Sequence, residues 1–279
     1  LDRVGSKLKD MGAVEDPRLF KIAARIDDLA PSLQAGEFEI PANASVNEIV
    51  RLLKESKPLL RFVTIPEGLT TRQIIARLKE APMLVGEVTI ELKEGDLLPE
   101  TYSYQRGDNR DSIIERMKEA HDDVLAVLWE TRAEGLPLDT PEEAVILASI
   151  VEKETGIAAE RPRVAGVFIN RLNKGMRLQS DPTILYGLTG GEPLGRGIRL
   201  SELRKETPYN TYVIRGLPPT PIANPGRDAL AAVLNPLETN DLYFVADGTG
   251  GHVFATNLAQ HNRNVAKWRR IERERQSQE

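Results

Sequence analysis

Residues 144 to 151, Ala-Val-Ile-Leu-Ala-Ser-Ile-Val, are apolar nearly all the way round a helix. The run ahead of them, Asp139-Thr140-Pro141-Glu142-Glu143, is a helix start signal: a capping side chain, a proline in the first turn and two acids that suit the dipole. A helix with no polar face has to be buried, so the chain must wrap other elements around it. It runs on through Glu152-Lys153-Glu154-Thr155 and stops at Gly156. With about 100° per residue, the apolar stripe centres near Leu147 and Val151, placing Glu154 close to it, Glu152 farther off and Lys153 opposite. Partial burial disfavours a charged carboxylate and raises its pKa, as a general acid near neutral pH requires. An acid at a helix C-terminus also opposes the dipole. The competing reading is an exposed acid at a frayed terminus, and spacing alone leaves both open.

The rest of the composition narrows the class. With 279 residues, 41% of them hydrophobic, the chain has material for two domains. Charges of both signs nearly balance at a net of -5, which disfavours nucleic acid and anionic membrane surfaces as partners. Without cysteine there is no disulfide, thiolate zinc site or thiol nucleophile. The longest apolar runs, Val124 to Trp129 and Ala229 to Leu234, fall far short of the roughly 20 residues a membrane-spanning helix needs. A start at Leu1 rather than Met reads as a processed or trimmed product whose leading signal or anchor lies outside the sequence.

Along the chain, residues 1 to 33 show helical periodicity at Leu19, Ile22, Ala23, Ile26 and Leu29 and read as helical support. Two similar units follow. Phe38-Glu39-Ile40-Pro41 leads to Ser45 and a helix, and Val63-Thr64-Ile65-Pro66 leads to Thr70 and another. Ser45 with Glu48 and Thr70 with Gln73 fit capping boxes, and Ile49, Leu52 and Leu53, like Ile74, Ile75 and Leu78, form stripes to be buried. Both units read strand, turn, capped helix, packed as twins in one region that either docks a ligand or is purely structural. The turn-rich run from Gly95 to Tyr102 sets a domain boundary near residue 94. Beyond it come helices at about 110 to 134 and 160 to 174, the second with Val164, Val167, Phe168 and Leu172 on one stripe. A long Gly-, Pro-, Asn- and Tyr-rich segment covers 176 to 227 and reads as functional loops. Two strands, Leu242 to Ala246 and His252 to Ala255, join across Asp247-Gly248, and a helix from about Leu258 closes the chain.

Several blocks carry a resemblance. Leu147-Ala148-Ser149-Ile150-Val151-Glu152-Lys153-Glu154-Thr155, Val167-Phe168-Ile169-Asn170-Arg171-Leu172, Met176-Arg177-Leu178-Gln179-Ser180-Asp181-Pro182-Thr183, Tyr209-Asn210-Thr211-Tyr212, Gly216-Leu217-Pro218-Pro219 and Tyr243-Phe244-Val245-Ala246-Asp247-Gly248 together resemble the endolytic murein transglycosylase family (MltG, YceG-like). The similarity runs in order over about residues 36 to 262. It implies an α+β protein with a LysM-like peptidoglycan-docking region over residues 1–93 and a mixed α/β catalytic domain over 94–279. It also implies a location on the periplasmic face of the bacterial inner membrane, through an N-terminal helix not included here. The partners implied are nascent peptidoglycan glycan strands and peptidoglycan synthases, with no cofactor. The family's catalytic acid, last in its Glu-Lys-Glu-Thr block, falls on Glu154. It would cleave the β-1,4 bond from N-acetylmuramic acid to N-acetylglucosamine, with the sugar's own C6 hydroxyl closing a 1,6-anhydro ring. Ser180 departs from the Thr usual in the family but keeps a hydroxyl.

Other polar residues have two readings each. Asn170, Gln179, Ser180, Asn210 and Asn224 either bind sugar groups or tie down loops, and Tyr186, Tyr209 and Tyr212 either stack on sugars or pack in the core. Asp181 is the one plausible second carboxylate, although Asp-Pro is a common turn start. His121, His252 and His261 show no metal-ligand spacing and read as solvated or structural. Two rival functions remain: a water-using muramidase, which would leave reducing ends, and a non-catalytic wall-binding scaffold, which would release nothing.

Overall fold

The computed structural model describes residues 1–33 and 36–276. The chain is a mixture of helices and small sheets, as an α+β reading requires. It forms two compact units, one of residues 1–63, 81–87 and 102–110, the other of 64–80, 88–101 and 111–279. The expected single cut near residue 94 is therefore not where the units divide.

The first unit contains α1 (Asp2–Asp10), α2 (Pro17–Ile26) and α3 (Val46–Glu55), and most of a two-stranded sheet of β1 (Arg61–Thr64) and β2 (Thr101–Tyr104). Asp16 caps α2 by accepting from the Arg18 N–H, ahead of Pro17 at the first position. The capping box on α3 is complete: the Ser45 N–H donates to Glu48 Oε2 at 2.7 Å and the Glu48 N–H to Ser45 Oγ at 3.3 Å. Leu8, Phe20, Ala24, Leu29, Ile49 and Leu53 meet in the core. On α2 the buried residues are Phe20 and Ala24, while Leu19, Ile22 and Ile26 of the apolar spacing are exposed. The helix is apolar on both sides, and only contact with α1 and α3 decides which side is covered.

The twin-unit expectation also fails in part. Phe38 to Pro41 forms no strand, since Pro41 lacks an N–H and β1 takes β2 as its partner. The helix of the second unit, α4 (Thr71–Glu80), belongs to the other compact unit, although its Thr70–Gln73 box forms as expected.

The second unit continues with α5 (Arg110–Glu130), α6 (Pro141–Glu154), a 3₁₀ turn (Ala158–Glu160), α7 (Arg161–Asn173), α8 (Asp181–Thr189), α9 (Leu200–Leu203), α10 (Arg227–Leu234), β3 (Tyr243–Ala246), β4 (His252–Ala255) and α11 (Leu258–Gln276). Every residue of α6 from Ala144 to Val151 is buried. The wrapping is done by α7 and α10, with Val164, Val167, Phe168, Leu230 and Val233 against Leu147, Ile150 and Val151. The Thr140 side chain caps α6 through the Glu143 N–H. The expected hairpin forms, β3 and β4 pairing antiparallel with Tyr243 opposite Ala255 and Ala246 opposite His252.

The segment 176–227 is less irregular than its composition suggests, because Asp181-Pro182 starts α8 rather than an isolated turn. An acid and a proline in the first turn, then buried Thr183 and Ile184, are sufficient for a short helix. At Gly166 on α7, an added Cβ would lie 2.5 Å from the Leu237 carbonyl oxygen. Gly166→Ala must push backbone apart, so we expect it to lower stability by about 1–3 kcal/mol in urea unfolding, whereas an unchanged midpoint would mean that the 237 segment yields freely.

Candidate functional site

Glu154 stands at the last turn of α6 and is partly buried. Ser180 Oγ donates to Glu154 Oε1 at 2.5 Å. Burial pushes the Glu154 pKa up to about 7; the Ser180 bond opposes the rise, the Asp181 charge adds to it, and His252 and Arg171 oppose it. The group can therefore hold a proton and give it up near neutral pH.

Ser180 is itself fixed. Its N–H donates to Thr211 Oγ1 at 2.9 Å, its carbonyl accepts from Thr183 Oγ1 at 2.7 Å, and the Gln179 N–H donates to the Thr211 carbonyl at 3.1 Å. Gln179 sits at a φ of 51°, a left-handed conformation that a non-glycine residue adopts only when its surroundings impose it. Arg171 on α7 completes the frame, donating to the Leu178 carbonyl at 2.5 Å and the Leu242 carbonyl at 2.6 Å.

Glu152 differs from expectation. Its side chain is only 5% exposed, so it is not the outlying acid that the helical wheel suggests. It accepts from Arg161 at 3.2 Å and from the Gly226 N–H at 2.9 Å. Arg161 also reaches Glu67 at 2.8 Å and Asp228 at 3.4 Å. Burial raises the Glu152 pKa against the Gly226 hydrogen bond. Glu152 is thus committed to an ion-pair cluster, whereas Glu154 has a hydroxyl as its hydrogen-bond partner.

The remaining candidates divide cleanly. Tyr212 comes to the site, its hydroxyl donating to Asp181 Oδ1 at 2.6 Å, and burial and Asp181 raise its pKa. Gln179 is exposed beside Ser180. Asn170 is a tie, donating to the Thr239 and Asp241 carbonyls at 2.8 and 3.0 Å. Asn210 is another, donating to the carbonyls of Glu202, Leu203 and Lys205 while accepting from the Tyr212 N–H. Asn224 is fully buried, accepting from the Leu97 N–H and donating to the Leu69 carbonyl, Thr71 and Glu94. Tyr186 packs edge-on against Tyr209, with ring centroids 5.0 Å apart, and donates to Glu94 at 3.1 Å.

Sequence reasoning missed Arg171, Thr183, Thr211 and the pair His252–Glu160. Arg171 had a signal: three residues after Phe168 and seven after Val164, it lies on the buried stripe of α7, where a charge needs a reason. His252 had a weaker one, since it shares a strand face with buried Phe254.

The matching of the YceG-like family model over residues 1–267 shows that the chain belongs to that family. Among similar curated proteins, an endolytic murein transglycosylase of Streptococcus pneumoniae is 30% identical, the match covering 96% of this chain and 56% of that protein. One from Bacillus subtilis is 29% identical, over 95% of this chain and 81% of that one. The chain thus spans little more than half the length of the pneumococcal relative. The 2.6 Å crystal structure of a YceG-like protein from Listeria monocytogenes is similar with a TM-score of 0.59 at 29% identity, covering 94% of both chains.

The raised Glu154 pKa has a stability consequence. In the folded protein it is about 7, against 4.5 for an unperturbed group, so the folded state prefers the proton. Nothing is lost below about pH 4.5; as pH climbs from there to 7, stability falls by up to about 3 kcal/mol. Glu154→Gln cannot ionise, so it should be more stable than the parent at pH 8 and equal to it at pH 4. Urea titrations at the two pH values test this, and an equal gap at both would mean that Glu154 does not titrate near neutrality.

Proposed function

We propose that this chain is an endolytic lytic transglycosylase that cleaves peptidoglycan glycan strands between N-acetylmuramic acid and N-acetylglucosamine, with Glu154 as its acid and base. The observation that carries the reading is the partly buried Glu154 carboxyl, held by the Ser180 hydroxyl at the end of a buried helix and with its pKa raised by desolvation to about 7. Family membership and the names of the relatives supply the substrate class.

In this mechanism protonated Glu154 gives its proton to the glycosidic oxygen as the bond from that oxygen to C1 breaks. The muramic acid C6 hydroxyl closes on C1, forming the new C1–O6 bond, and its proton passes to the Glu154 carboxylate. No water is consumed, and the acid returns to its starting state. An intramolecular hydroxyl has a high effective molarity, so a second carboxylate is not required. Ser180 holds Glu154 in one orientation through both steps and steadies its anionic form.

A muramidase is the second reading, because the Asp181 charge reaches Glu154. Against it, Asp181 already accepts from Tyr212, so a water would have to share that carboxylate. The products decide: anhydro ends mark the lyase, reducing ends the hydrolase.

The first compact unit, in this proposal, is a glycan-docking region, LysM-like in character, and the second holds the chemistry. No helix among the described residues is long and apolar enough to cross a membrane. A tether preceding this sequence, a periplasmic setting and contact with peptidoglycan synthases complete the proposal.

Glu154→Gln should reduce release of anhydro-ended fragments from polymeric peptidoglycan by ~10²–10⁴-fold or more, with folding and glycan binding retained. Glu152→Gln should behave differently. It weakens the Arg161 cluster and lowers the melting temperature, but leaves cleavage per folded molecule within a fewfold of the parent. Normal cleavage by Glu154→Gln would end the proposal.

A further inference from the structure

The pair His252–Glu160 has no part in the mechanism above, yet it is built with some care. His252 Nδ1 lies 2.7 Å from Glu160 Oε2, and the His252 backbone N–H donates to Glu160 Oε1 at 3.0 Å, so one carboxylate grips one residue with both oxygens. A carboxylate accepts, so Nδ1 carries the hydrogen. The ring is held edge-on to Phe244, with centroids 5.3 Å apart at 87°, and against Phe254 at 6.5 Å and 62°. Its side chain remains 16% exposed.

With Nδ1 bonded in this way, the neutral ring presents Nε2 as an acceptor. Nε2 has no hydrogen-bond partner among the described residues, and it is not among the fully buried polar atoms that lack one, so it is at least partly accessible on a side chain that is 16% exposed. The ring also belongs to the neighbourhood of Glu154. Glu160 ends the 3₁₀ turn that follows α6, Phe244 packs edge-on against Phe168 of α7 at 5.8 Å, and the ring lies near enough to Glu154 for a charge on it to be felt by that carboxyl. A histidine that merely pinned the hairpin to the 3₁₀ turn would be satisfied by its Nδ1 bond. The fixed, open Nε2 acceptor is what suits a ligand rich in hydroxyl donors.

We infer that His252, oriented by Glu160, is a substrate-binding residue beside Glu154, its Nε2 accepting a hydrogen bond from a sugar hydroxyl of the glycan. The inference rests on the glycan-cleaving reading above and adds a contact to it. The orienting carboxylate acts through the ring, so Glu160 is a positioning residue.

The test uses the full chain carrying Glu154→Gln, which binds without turnover, and glycan oligomers of alternating N-acetylglucosamine and N-acetylmuramic acid in calorimetry. Adding His252→Phe keeps a ring but removes the acceptor, and should weaken binding roughly 5- to 10-fold. Adding His252→Gln places an amide oxygen near the Nε2 position and should restore most of the affinity, with melting temperatures of both variants near that of Glu154→Gln. Undiminished binding by the Phe variant overturns the assignment. So does equal weakening by Phe and Gln together with a fall in melting temperature, the signature of a structural pin. If the Glu154→Gln parent binds no glycan, the functional reading fails and takes this one with it. Weakened binding by the Phe variant alongside wild-type products lacking anhydro ends would support His252 as a sugar contact while retiring the lyase chemistry.

Discussion

The desolvated carboxyl at the end of α6 is the constraint on which the second unit turns. A charged carboxylate in such a place is costly, and the surroundings lessen the cost without removing it: one hydroxyl bond from Ser180, and the more distant charge of Arg171. Two residues earlier Glu152 faces Arg161 directly, and burial still raises its pKa, so the guanidinium offsets only part of the cost there. Neighbouring acids on one helix thus differ in their nearest donors, a guanidinium for Glu152 and a hydroxyl for Glu154.

What positions the acid is a set of side chain to backbone bonds. The Tyr-Asn-Thr-Tyr block at 209–212 and Arg171 supply them, clamping residues 178–183 from two directions. Ser149 adds another tie, donating to the Ile146 carbonyl at 2.7 Å and accepting from the Ile222 N–H at 3.0 Å. Each of these polar groups is buried and satisfied, which fixes one arrangement, because any alternative would leave a donor or acceptor stranded.

Local signals were readable in the sequence and distant ones were not. The caps at Ser45, Thr70 and Thr140, the buried α6 and the hairpin of β3 and β4 depend on residues a few positions apart, and each forms as expected. Which face of α2 is covered, whether Phe38 to Pro41 finds a strand partner, and how Glu152 is neutralised depend on residues far along the chain. The bond from Arg161 to Glu67 spans 94 residues and that from His252 to Glu160 spans 92. Periodicity reports the side of a helix, not the partner waiting there. Hence it misjudged Glu152, and it described Asn170, Asn210 and Asn224 as undecided when their hydrogen bonds go to the protein's own groups.

The ties on either side of α8 and α9 leave the stretch between Gly190 and Arg199 anchored at both ends and exposed along much of its length. Lengthening a surface segment whose ends are already fixed adds closure entropy only with the logarithm of its length. Insertions there would leave the acid, its hydroxyl partner and the threonine pair untouched. The length of this exposed stretch can therefore vary at little cost to the buried hydrogen bonds around Glu154 and Ser180.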